Sequence, residues 1–148
     1  MANLRQRARI LALQALYEAD TAHHDAGGSL ERLLVESKLQ AAGQELARVL
    51  VRTVAEHRPA IDETIRTAAP LWPLEQIATV DRNILRIAIA ELSYLRGTSE
   101  VVVPAPVAIN EAVDLGKTFG TESSPRFING VLGTVLGRSQ ALAAIEAP

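Results

Sequence analysis

Three arginines, Arg5, Arg7 and Arg9, stand at the front of the first helical segment of a 148-residue chain. The free amides at a helix start already carry partial positive charge. Each further cation there costs roughly 0.3 kcal/mol or more, so fold stability alone would place Asp or Glu at these positions. The cluster reads either as a solvated helix start or as a grip on an anionic partner, with nucleic acid the first candidate. At helical spacing Arg5 and Arg9 share a face and Arg7 points elsewhere.

Other residues with chemical potential are few. His23 and His24 are adjacent and lack the i, i+4 spacing that turns two ligands toward one metal, so they read as loop residues. His57 has no evident partner and reads as structural. Glu91 falls on an apolar face, where a carboxylate needs a partner or neutralisation. With no second carboxylate or histidine beside it, it fits a structural role, capping a neighbouring helix or pairing with an arginine. There is no glycine-rich phosphate loop, no metal-spaced His/Asp cluster and no serine-nucleophile motif. The chain has no cysteine, hence no thiol nucleophile and no Cys-ligated metal. No cofactor is expected, and the pattern favours a binding module over an enzyme.

The elements that must position these residues are helical. Ala- and Leu-rich composition with only 3% aromatics favours helix over strand and an aliphatic core. The net charge of -2 confines any nucleic-acid site to a local patch. The N-terminus lacks the apolar run of a signal peptide and no stretch is long enough to span a membrane, which fits a cytoplasmic protein with no membrane contact.

Asn3 is expected to cap a first helix running to about Ala19, with Leu4, Ala8, Leu11, Ala12, Ala15 and Leu16 as its stripe and Tyr17 at its end. Thr21–Gly28 reads as a polar linker, and Ser29 as the cap of a second helix. A third helix starts near Gly43 and is kinked or broken by Pro59. Pro70 and Pro73 mark a boundary between two lobes, about 1–69 and about 70–140, with a frayed tail over 141–148. Trp72 beside this boundary is expected to plug the seam. A short helix over Leu74–Ala78 precedes a longer one to about Leu95, apolar on nearly every side and hence central. A loop follows over Arg96–Val103. The next helix begins near Pro106 and ends at Phe119 with Gly120 as its C-cap. The last starts at Ser123 or Ser124, and close helix packing would offset the propensity lost at Gly130, Gly133 and Gly137.

Three blocks in order, covering nearly the whole chain, resemble the NusB family of transcription antitermination factors. They are Arg5-Gln6-Arg7-Ala8-Arg9 with Ala12–Tyr17; Val80–Ala88 with Glu91-Leu92; and Val107–Val113, Lys117–Gly120 and Arg126–Leu132. The resemblance implies an all-α fold of about seven helices in two packed lobes. It implies an RNA-binding adaptor that holds boxA-type single-stranded RNA together with NusE, a small-subunit ribosomal protein, in elongation complexes on ribosomal RNA operons. The family's arginine-rich stretch maps onto Arg5, Arg7 and Arg9, with Gln6 where another Arg often stands. A second RNA-facing region maps around Lys117, Phe119, Arg126 and Phe127. Ser123 replaces an Asp of some relatives, and Gln76 replaces an Arg that usually follows the tryptophan. Asp81 and Arg82 are candidates for the NusE-facing surface, with helix capping the rival role for Asp81. Two other functions remain open: a homodimeric or otherwise self-associating interaction module without RNA binding, and a domain related to RNA cytosine methyltransferases.

Overall fold

A computed structural model describes residues 3–95 and 103–146, with side chains through Ser139. Its helices are α1 (Leu4–Ala22), α2 (Ala26–Glu36), α3 (Ala41–Glu56), α4 (Arg58–Ala68), α5 (Thr79–Ser93), α6 (Ala105–Phe119) and α7 (Ser124–Glu146), with a single 3-10 turn at Leu74–Gln76. No strand occurs among the described residues, and none of the helices there is long and apolar enough to cross a membrane. The all-α expectation holds.

Helix α5 is the hub. It packs against α1, α3, α4, α6 and α7, and Ile84, Leu85, Ile87, Ala88, Ile89 and Ala90 are all buried. Full burial of each isoleucine contributes about 1.5–3 kcal/mol. Around it, α1 lies on α2 and α3, and α6 lies on α7. One continuous aliphatic core runs from Ala8 to Leu132.

Local chemistry sets the boundaries. Asn3 accepts from the Gln6 amide at 2.8 Å and caps α1 as expected. Helix α2 starts earlier than expected because Asp25, not Ser29, is its cap, accepting from the Gly28 amide at 2.9 Å. Pro59 breaks rather than bends. His57 leaves helical geometry at φ -115°, ψ 17°, and Pro59 then sits in the first turn of α4, where its missing N–H costs nothing. The aromatic ring of His57 stacks on Tyr94 at 3.9 Å between centroids, closing the α3–α4 junction against the end of α5.

Two expectations are corrected. Trp72 does not plug a seam, because 56% of it is exposed. Gly130, Gly133 and Gly137 do not mark close packing: a Cβ at any of them would meet no described atom within 4 Å. The tight α6–α7 approach falls instead at Gly116, where a Cβ would lie 2.8 Å from Ile128 Cδ1. The loop expected over Arg96–Val103 lies, up to residue 102, outside the described residues. Of the tail over 141–148, only the helical backbone to Glu146 is described.

Candidate nucleic-acid interface

The cap at Asn3 fixes the register of α1 and so decides which arginines face out. Arg5 and Arg7 are exposed, and neither makes an ion pair among the described residues. No carboxylate stands in the first turn of α1 to offset them. Arg9 departs from the expectation: it is 2% exposed and cannot present its charge to RNA. One and two turns before Leu13 and Leu16 it falls on the stripe that enters the core. There its Nε donates to Glu91 Oε1 and Oε2 at 3.1 and 3.0 Å, and its Nη2 donates to Oε1 at 2.7 Å. Glu91 is thus paired with an arginine, one of the two roles expected of it. Arg9 Nη1 also lies 3.8 Å from Glu111 on α6. Gln6 completes the cluster by donating from Nε2 to the Glu111 carbonyl at 3.1 Å. Gln6, the expected departure within the arginine-rich stretch, is a tie between α1 and α6.

A second feature forms where the Trp72 segment, the start of α5 and the start of α7 converge. A cleft of about 330 Å3 is lined by Trp72, Gln76, Asp81, Ser123, Arg126 and Phe127, among others. Trp72 and Phe127 meet edge to face, with ring centroids 6.2 Å apart and planes at 76°. Arg126 is exposed at this cleft and Phe127 is half-buried against the core. Ser123 and Gln76, two of the three expected departures from the family pattern, both lie here. Asp81 is buried. Burial pushes its carboxyl above the usual range, and a hydrogen bond from Ser124 only partly opposes that. Its Oδ1 has no hydrogen-bond partner among the described residues.

The other expected residues lie elsewhere. Phe119 does not join Phe127. It is 38% exposed and shares a separate groove of about 420 Å3 with Tyr17, Leu13 and Val80. Lys117 is exposed, 3.8 Å from Asp114 on the same helix. Arg82 is turned inward: its Nη1 donates to the carbonyls of Leu74 at 3.2 Å and Ile77 at 3.3 Å, and its Nη2 lies 3.6 Å from Asp20. The charges of Asp81 and Arg82 are therefore not offered to the outer surface. Arg82 holds the 74–82 segment in place, whereas Asp81 is bonded by Ser124 of α7.

Sequence reasoning missed the polar hub behind that segment. Asp20 accepts from Arg58 at 2.8 Å, Asn83 at 3.0 Å and Arg86 at 2.7 Å. Arg86 also donates to both oxygens of Asp62, at 2.8 and 3.2 Å. Burial tends to raise the Asp20 carboxyl, but the bonds from Arg58 and Asn83 and the charge of Arg86 outweigh it and hold the group at about 2. The one available signal was Arg86 itself, a cation inside the apolar Ile84–Ala90 run that needs buried anions.

Known proteins share this chain's sequence over most of its length, and solved structures share its fold. The NusB of Dehalococcoides mccartyi strain CBDB1, a transcription antitermination protein, is 48% identical over 97% of this chain and 94% of its own length. That of Chloroflexus aggregans is 45% identical over 93% and 90%. Among solved structures, T. maritima NusB superposes with a TM-score of 0.82 at 32% identity, covering 91% of this chain and 92% of that one. A chain in the crystal structure of antitermination factors NusB and NusE in complex with dsRNA gives a TM-score of 0.78 at 28% identity, covering 91% and 97%. The NusB family model matches residues 6–136, from the α1–α6 tie at Gln6 through the Arg126–Phe127 wall of the cleft to the end of the core on α7, and the chain belongs to the NusB family.

Proposed function

We propose that the protein is a cytoplasmic RNA-binding transcription antitermination factor that holds boxA-type single-stranded RNA together with NusE in the elongation complex. The observation that carries this reading is the pair of exposed arginines Arg5 and Arg7, unpaired among the described residues, at a helix start with no carboxylate in its first turn. They anchor phosphate at a place where the helix dipole also favours an anion. Arg126 and Lys117 supply a second set of exposed cations. The aromatic surfaces of Phe127 and Phe119 support unstacked bases. Arg9 acts by fixing the pose of α1. Asp81 and Arg82 contribute to NusE docking through the shape of the 74–82 segment.

The relatives' shared name and a solved NusB–NusE assembly with dsRNA support the reading. Titration of a boxA RNA at low salt, with and without NusE, while mass in solution is followed, tests it. A complex of one copy each, tighter with NusE than without, is expected. Absence of RNA binding in both arms, with the protein self-associated, would replace this function with the homodimeric module.

A further inference from the structure

Gln6 stands between the two exposed arginines and is held at three points. Its backbone N–H donates to Asn3 Oδ1 at 2.8 Å. Its side chain is buried, with the amide bonded at both ends. Oε1 accepts from Arg9 Nη1 at 3.4 Å, and Nε2 donates to the Glu111 carbonyl on α6 at 3.1 Å. Only the amide nitrogen can donate and only its oxygen can accept, so these partners fix which way the group points. Together the three bonds lock the start of α1 in rotation about its own axis.

Successive side chains on a helix are turned by about 100°. With Gln6 directed into the α1–α6 seam, Arg5 and Arg7 leave α1 on either side of it, about 160° apart. Arg5 continues the face that carries Arg9 and Ala12, and it is exposed because burial on that face begins a turn later. Arg7 falls on the opposite, outward face and is also exposed.

We propose that Gln6 is a positioning residue for RNA: it parts Arg5 and Arg7 so that they hold phosphates of different nucleotides, and the strand crosses the start of α1. The inference rests on the RNA-binding reading above and adds the path of the strand and the residue that sets it.

Charge at the seam favours two separate phosphates over one shared between the arginines. Arg9 stands there against two carboxylates, Glu91 at 2.7 Å and Glu111 at 3.8 Å, so the cluster carries a surplus of negative charge. A phosphate clamped by both arginines on the Gln6 side would sit over that surplus. Phosphates to the left and right of the seam avoid it.

The test measures binding of a boxA RNA by fluorescence anisotropy at several salt concentrations. Arg5→Ala and Arg7→Ala should each lower the slope of log K against log salt by about 0.7. Their losses in log K should add in the double variant, as for sites without a shared partner. Gln6→Met keeps the length of the side chain and removes both of its hydrogen bonds. It should weaken binding about three- to tenfold with the slope of wild type, because both cations remain and only their placement is lost. A lower melting midpoint in Gln6→Met with unchanged affinity of the folded protein would overturn the positioning role. Single-variant losses that do not add, each already as large as that of the double variant, would mean one clamped phosphate and overturn the proposed path, whether or not Gln6→Met folds. Failure of the wild-type protein to bind boxA RNA would remove the RNA-binding reading, and this inference with it.

Discussion

Arg9 and Glu91, 82 residues apart in sequence, close a bidentate ion pair in the interior, with side chains 2% and 3% exposed. The pair joins α1, which carries the exposed arginines, to the central helix. Glu111 and Gln6 extend the connection to α6. The most conspicuous basic cluster in the sequence therefore divides its labour: two residues face solvent and the third sets the angle at which they do so.

Breaking this pair from one side should be costly, because the surviving charge stays buried without a partner. Arg9→Ala or Glu91→Ala should each lose about 3–5 kcal/mol of unfolding free energy, seen as a lower urea midpoint. The double replacement Arg9→Met with Glu91→Leu should recover most of that loss. A single variant within about 1 kcal/mol of wild type would remove the pair from the list of stabilising contacts.

Arg5→Ala with Arg7→Ala should leave stability almost unchanged, since both side chains are exposed and unpaired. Binding to single-stranded RNA should weaken and lose salt dependence. Two phosphate contacts at roughly 0.7 each should reduce the slope of log K against log salt by about 1.4. Arg9→Lys in the same assay should keep the slope while changing the affinity. An unaltered slope in the double variant would place the phosphate contacts elsewhere.

The helices were legible because their determinants are local: the Asn3 cap, the apolar stripes, and the prolines at positions 59, 70, 73, 106 and 125. The split of Pro59 into a break was not legible, because a proline in a first turn and a proline in a kink look alike until the preceding residue's geometry is known. The burial of Arg9 was not legible, because helical spacing shows which residues share a face but not where along the helix that face enters the core. The Asp20 hub draws on α1, α4 and α5, and no single segment carries its pattern. The same limit hid the cleft, whose Trp72, Asp81 and Phe127 come from three separate segments.

Acid should expose the Asp20 hub. Its carboxyl is held at about 2 in the fold against 3.8 for the ordinary group. A group whose folded value is depressed adds stability that is complete above its unfolded value and is lost as pH falls through the folded one. Asp20 should thus contribute about 1–2 kcal/mol at neutral pH, fading between roughly pH 4 and pH 2. Asp20→Asn should flatten that part of the stability–pH curve measured by urea unfolding. It should also lower stability at pH 7, where Arg58 and Arg86 lose their shared anion. A variant curve parallel to wild type from pH 5 to pH 2 would contradict the depressed value.

The glycines near and within α7 should respond oppositely to the same added methyl. At Gly133, inside the helix, a Cβ meets no described atom within 4 Å. Gly133→Ala therefore gains helix propensity without a clash and should stabilise by about 0.5–1 kcal/mol. At Gly120, the C-cap of α6, a Cβ would lie 2.3 Å from Ser124 Oγ, 2.5 Å from Ser124 Cβ and 2.8 Å from the Gly116 carbonyl. Ser124 cannot simply rotate away, because its hydroxyl accepts from the Thr121 amide at 2.9 Å and also bonds Asp81. Gly120→Ala should cost roughly 1–3 kcal/mol and disturb the α6–α7 turn. Thermal melts separate the cases, with a midpoint shift of about 2–4 °C per kcal/mol for a chain of this size. A destabilising Gly133→Ala would mean that a partner surface approaches α7 closely after all, and the melt should then depend on protein concentration.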